Sequence, residues 1–84
     1  MKIINENAYN ILVALYQEDK GFNRLLKELD MNPKTLSSYL KELDGAWLIN
    51  RIVFKKAPIR VEYRLSTDGM KLCEMLMDIE KLLR

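Results

Sequence analysis

The sequence predicts a mainly α-helical domain carrying one small β-hairpin, an α+β arrangement in the order α-α-α-β-β-α. Three observations predict it. Apolar residues recur at helical spacing in four segments. Between the third and fourth lies a stretch rich in β-branched and aromatic residues that ends in strict alternation. Residues that start or stop helices (Asn32–Pro33, Gly45, Ser66) stand at the junctions. With 84 residues, the chain is expected to form one domain, 1–84, near the lower size limit for a self-sufficient core.

Ile4, Ala8, Ile11, Leu12 and Leu15 form one apolar stripe, which places the first helix at about 4–17. Asp19–Lys20–Gly21 breaks it. A second, short helix is expected from about Asn23, a plausible N-cap, with Leu25, Leu26 and Leu29 facing inward. Asp30–Met31–Asn32 makes a tight connection. Asn32 suits the next N-cap, and Pro33 suits the first helical position, where its missing N–H costs nothing. Leu36, Tyr39, Leu40 and Leu43 supply the buried stripe of this third helix, 33–44, with Gly45 as its terminator. Two helices joined so closely fit a helix-turn-helix.

Residues 49–54 prefer a strand, and Lys55–Lys56–Ala57–Pro58 interrupts it. Ile59, Val61, Tyr63 and Leu65 then alternate with Arg60, Glu62 and Arg64, so a hairpin with a basic tip is expected. Ser66 caps the last helix, 67–84, with Asp68 in its first turn to complement the helix dipole.

Composition narrows the function classes. Cys73 is the sole cysteine and histidine is absent, which excludes a disulfide framework and a Cys/His zinc site. No metal or other cofactor is expected. Apolar runs are too short for a membrane span, and residues 1–6 lack the pattern of a secretory signal, so a cytoplasmic protein with no membrane partner is expected. With no Gly-rich phosphate loop and no nucleophile motif, an enzyme is not expected.

The net charge is only +2, but it is unevenly spread. Residues 1–30 and 66–84 each sum to −1. Residues 31–65 hold seven basic side chains (Lys34, Lys41, Arg51, Lys55, Lys56, Arg60, Arg64) against three acidic ones, a surplus of +4. Basic charge concentrated on a few elements is the electrostatic footprint of a phosphate-binding surface.

Two blocks carry a family resemblance. One is Leu36–Ser37–Ser38–Tyr39–Leu40–Lys41–Glu42–Leu43. The other is Arg60–Val61–Glu62–Tyr63–Arg64–Leu65–Ser66–Thr67–Asp68–Gly69, which holds the pattern VEY-x-L-[ST]-x-x-G. Together, and in this order, they resemble the winged helix-turn-helix transcriptional regulators of the MarR/HxlR type, over about Tyr9 to Met75. The resemblance leads one to expect glycine at position 47, where this chain has Trp47; Gly45 is then expected to end the helix two residues early.

What the resemblance implies is a prokaryotic or archaeal homodimeric regulator that binds double-stranded DNA. The recognition helix 33–44 would lie in the major groove and the wing 52–62 on the minor groove or backbone. At helical spacing Lys34, Ser38 and Lys41 point away from the leucine stripe, with Thr35 and Ser37 on the flanks. Lys55 and Lys56 stand at the wing tip with Arg60 just beyond, as positioning charge. The blander readings are a solvated helix face and lysines that protect a β-edge. Arg51 and Arg64 either extend the patch or pair with Glu62. The rival function is a winged helix used for protein–protein contact within a larger transcription or replication assembly. Whether a small-molecule effector is sensed is not legible.

The last helix is too apolar for one interface. Leu72, Leu76, Ile79 and Leu83 form one face, and Met70, Cys73 and Met77 another. Tyr9, Val13 and Tyr16 likewise lie off the main stripe of the first helix. A dimer interface of helices 4–17 and 67–84, using Tyr9, Val13, Tyr16, Met70, Cys73 and Met77, would bury both surpluses. The alternative is a monomer with a Met-rich tail. Cys73 is either a small core residue or a redox switch at that interface.

Overall fold

The computed structural model describes residues 5–83. Its elements are α1 (Glu6–Gln17), β1 (Lys20–Gly21), α2 (Phe22–Leu29), α3 (Pro33–Gly45), β2 (Ile49–Phe54), β3 (Arg60–Leu65) and α4 (Thr67–Leu82). The expected order is present, with β1 as an addition.

Asn5 caps α1: its Oδ1 accepts from the Ala8 N–H at 3.0 Å, while its Nδ2 donates to the Tyr39 hydroxyl at 2.8 Å. One side chain thus starts α1 and ties it to α3. Ala8, Ile11, Leu12, Ala14 and Leu15 are buried. Ile4, expected on this stripe, lies outside the described residues.

The α2 start differs from expectation. Gly21, not Asn23, is the N-cap, and it makes no side-chain hydrogen bond. Gly21 is already extended as part of β1, so the chain passes straight from strand to helix and leaves Asn23 exposed within the first turn. Asp30, in the left-handed region at φ 50°, ends α2. Aspartate tolerates that conformation better than most residues.

α3 begins as its sequence demands. Asn32 Oδ1 accepts from the Lys34 N–H at 2.8 Å, and Pro33 occupies the first turn. Leu36, Leu40 and Leu43 are buried, and Tyr39 is half-buried. The far end corrects the expectation for Gly45, because the helix runs through it and the left-handed residue is Trp47, at φ 63°. The Trp47 N–H donates to Asp44 O at 3.1 Å and the Leu48 N–H to Leu43 O at 3.0 Å. These two bonds make a Schellman motif. The turn geometry requires left-handed backbone two residues after Gly45, so Trp47 occupies the glycine position.

The sheet has the order β1-β3-β2 and is antiparallel throughout, with Ile49 opposite Leu65 at one end of the hairpin and Phe54 opposite Arg60 at the other. Ile59 is not part of β3 and is 73% exposed, so inward alternation holds only for Val61, Tyr63 and Leu65. Beyond Val61 the hairpin runs past the core. β1 pairs Lys20 with Tyr63. The Lys20 side chain is buried, donating to Glu28 at 2.6 Å and to Gln17 Oε1 at 3.3 Å. The Lys20 hydrogen bond, then that of Arg24, holds the Glu28 carboxyl below its ordinary pKa. Arg64 pairs with Asp19 at 2.7 Å, not with Glu62. The hairpin is thus anchored to the α1–α2 region by backbone and by charge.

Ser66 caps α4, its Oγ accepting from the Gly69 N–H at 2.9 Å and donating to Trp47 O at 2.7 Å. Gly69 packs against the backbone of the α3–β2 turn so closely that a Cβ there would lie 1.9 Å from Leu48 O. That contact accounts physically for glycine in this part of the motif.

Candidate nucleic-acid interface

The leucine anchors of α3 decide what it shows to solvent. With Leu36, Leu40 and Leu43 inward, Lys34, Ser38 and Lys41 are exposed along one line, with Thr35 and Ser37 half-buried beside it. Lys55 and Lys56 are exposed at the hairpin tip. Among the described residues, Lys34, Lys41, Arg51, Lys55 and Lys56 form no salt bridge. Arg60 is partly engaged: its guanidinium sits 4.4 Å from the Phe54 ring centroid and 3.8 Å from a Glu62 carboxylate oxygen. Phe54 and Arg60 are directly opposed across the strands, so this stacking orients the arginine at the base of the tip. Arg64 is drawn off by Asp19 and leaves the basic set.

Two contributors escape sequence reading. Tyr39 sits on the buried stripe, yet its hydroxyl accepts from Asn5 Nδ2 and so ties α3 to the start of α1. Lys20 reads as a loop lysine, yet it is the buried clasp between β1 and α2. No local signal marks either, because each partner comes from another element.

The α4 surface corrects the sequence assignment of faces. Cys73 is fully buried in the protomer's own core, and Met77 packs partly against that core. Cys73 therefore has no surface to offer a partner, and only Met70 of that set is exposed. The uncovered apolar side holds Met75, Ile79, Leu82 and Leu83, the last two at least 80% exposed. The helix is turned so that the side carrying Gly69 meets the α3–β2 turn, which brings Cys73 and Met77 inward behind it. Burial also pushes the Cys73 thiol above its ordinary pKa, which disfavours the reactive thiolate. Tyr9 and Val13 line an open groove of about 810 Å³ with Leu76, Ile79 and Leu83. Tyr16 instead donates its hydroxyl to Glu74 Oε2 at 2.8 Å, bridging α1 and α4 within the protomer, and the bond to that carboxylate raises the tyrosine pKa.

Among the described residues no helix is long and apolar enough to cross a membrane, and no group of His, Cys, Asp and Glu is placed to hold a metal ion. A family model described as HxlR-like helix-turn-helix matches residues 4–84. The HTH-type transcriptional regulator sll1512 of Synechocystis sp. is 37% identical over 81 residues, which cover 92% of this chain and 59% of that protein. The HTH-type transcriptional regulator YvaP of Bacillus subtilis is 31% identical over 72 residues, covering 84% of this chain and 67% of that protein. The crystal structure of a MarR-family transcriptional regulator from Enterococcus faecalis superposes with a TM-score of 0.88 at 26% identity, covering 93% of this chain and 72% of the other. The chain thus spans about three-fifths of the length of the Synechocystis relative. With its family model matched from residue 4 to residue 84 and its hairpin beside a helix-turn-helix, the chain belongs to the HxlR-like helix-turn-helix family.

Proposed function

We propose that this chain is a cytoplasmic, sequence-specific regulator that binds double-stranded DNA as a homodimer. α3 enters the major groove through Lys34, Thr35, Ser37, Ser38 and Lys41. The wing, with Lys55, Lys56 and Arg60, lies on the adjacent minor groove or backbone. The observation that carries this reading is the basic charge of Lys34 and Lys41 on α3 and of Lys55 and Lys56 at the hairpin tip, exposed and without a salt bridge among the described residues. A helix anchored by leucines supplies geometry; lysines without acidic partners supply attraction for phosphates. The dimer surface is proposed to be the groove of Tyr9 and Val13 with the apolar side of α4 formed by Met75, Ile79, Leu82 and Leu83. Selection of bound duplexes from a random pool tests the reading. The expected result is an enriched palindrome with half-sites about one helical turn, roughly 34 Å, apart. A pool that stays unenriched and unbound at low salt rejects it.

A further inference from the structure

We infer that the cleft between α3 and the hairpin is a dedicated seat for one DNA backbone phosphate, with Arg51 as its principal ligand. The inference rests on the proposed DNA-binding reading and adds to it a residue and a site. β2 alternates, so Arg51 shares a face with buried Ile49 and lies directly opposite Tyr63. Ile49 and Leu65 are buried on that face and Tyr63 packs partly against the core, while Arg51 beside Tyr63 is exposed. Arg51 therefore emerges in the angle between the recognition helix and the wing. Ser37, Leu40, Lys41, Asp44, Arg51 and Tyr63 line a cleft there of about 310 Å³.

The lining is built from donors. Ser37 offers a hydroxyl, Tyr63 a phenolic O–H, Lys41 an ammonium and Arg51 a guanidinium. Among the described residues, none of these four side chains has a hydrogen-bond or ion-pair partner. Arg64, the neighbouring arginine on β3, contrasts with them, since Asp19 satisfies it. Asp44 is the one carboxylate in the lining, so the cleft keeps a surplus of one positive charge. A guanidinium presents two parallel N–H groups to a phosphate, and an ammonium and hydroxyls complete the remaining oxygens. The ligand class is a phosphodiester of the strand that borders the major groove occupied by α3. The seat fixes how deeply that helix inserts and carries no base readout.

The test is the salt dependence of binding to a mixed-sequence duplex of about three helical turns. Removing one phosphate interaction lowers the log–log slope by about 0.9, and a dimer loses it twice, so Arg51→Ala is expected to lower the slope by about 1.8. Arg51→Lys should restore most of the slope, because the charge remains. Tyr63→Phe should weaken binding with no change in slope, because a neutral donor releases no counterion. Asp44→Asn should tighten binding by removing the repelling carboxylate. Lys81→Ala, in the last turn of α4, serves as the distant control and should leave the slope unaltered. If the parent protein binds duplex and Arg51→Ala keeps its slope, the cleft is not a phosphate seat while the regulator reading stands. If the parent binds no duplex at any salt concentration, both are lost.

Discussion

Trp47 shows a local rule broken at a stated cost. An L-residue in the left-handed region is disfavoured by about 1–2 kcal/mol, and this indole is 80% exposed, so burial returns little. Trp47→Gly is expected to stabilise the fold by roughly 0.5–1 kcal/mol, after allowing for the greater unfolded-state freedom of glycine. Circular dichroism should then show the thermal midpoint rising by about 2–8 °C; a fall would mean that the side chain makes stabilising contacts. Two glycines make the complementary case. Gly45 has nothing within 4 Å of its missing Cβ and sits in helix, so Gly45→Ala should stabilise by about 0.5–1 kcal/mol. Gly69→Ala places a Cβ 1.9 Å from Leu48 O, against backbone that has no side-chain freedom to yield. It should cost at least about 2–4 kcal/mol, read as a lowered urea midpoint. Equal effects of the two alanines would contradict the packing of α4 on the α3–β2 turn.

At the scale of elements, what the sequence makes legible follows the range of the chemistry involved. Asn32–Pro33 and Ser66 are readable because capping involves neighbours in the chain. The leucine stripe of α3 is readable because its period is long and its polar side is clean. β1 is not, because two residues show no period and their pairing partner, β3, lies far along the chain. The faces of α4 are ambiguous for a different reason: both are apolar, and only the approach of Gly69 to Leu48 decides which turns inward. The exposure of Lys34, Ser38, Lys41, Lys55 and Lys56 follows from the leucine stripe and the hairpin turn, whereas the cleft that Arg51 lines exists only once the hairpin is set against α3. The wing and α3 should be separable by experiment. Lys55→Ala with Lys56→Ala removes positioning charge, so affinity for every duplex should fall and the salt slope flatten by about 0.9 for each phosphate left without its lysine. Ser38→Ala lies on the helix proposed to face the bases, so it should shift preference among sequences more than overall affinity. A wing variant with unaltered salt dependence would remove the hairpin tip from the interface.

For the whole molecule, the question is what covers the apolar side of α4. Met75, Ile79, Leu82 and Leu83 remain 50–83% exposed in a protomer whose core already contains Cys73 and the leucines of α3. A second copy related by a twofold axis would cover this side and the groove beside Tyr9 and Val13 with the same surface from its own chain. The choice of variant matters. Met77→Glu would put a carboxylate against the protomer's own core and so destabilise folding as well as association. Ile79→Glu acts at a position half exposed in the single chain, so its protomer should remain folded. Sedimentation should then give a monomer with an unchanged circular dichroism spectrum. Binding to a palindromic duplex should lose its two-site character, because each half-site must be occupied independently. A dimer that survives Ile79→Glu would place the partner on some other surface and leave the α4 side as exposed as it stands in the single chain.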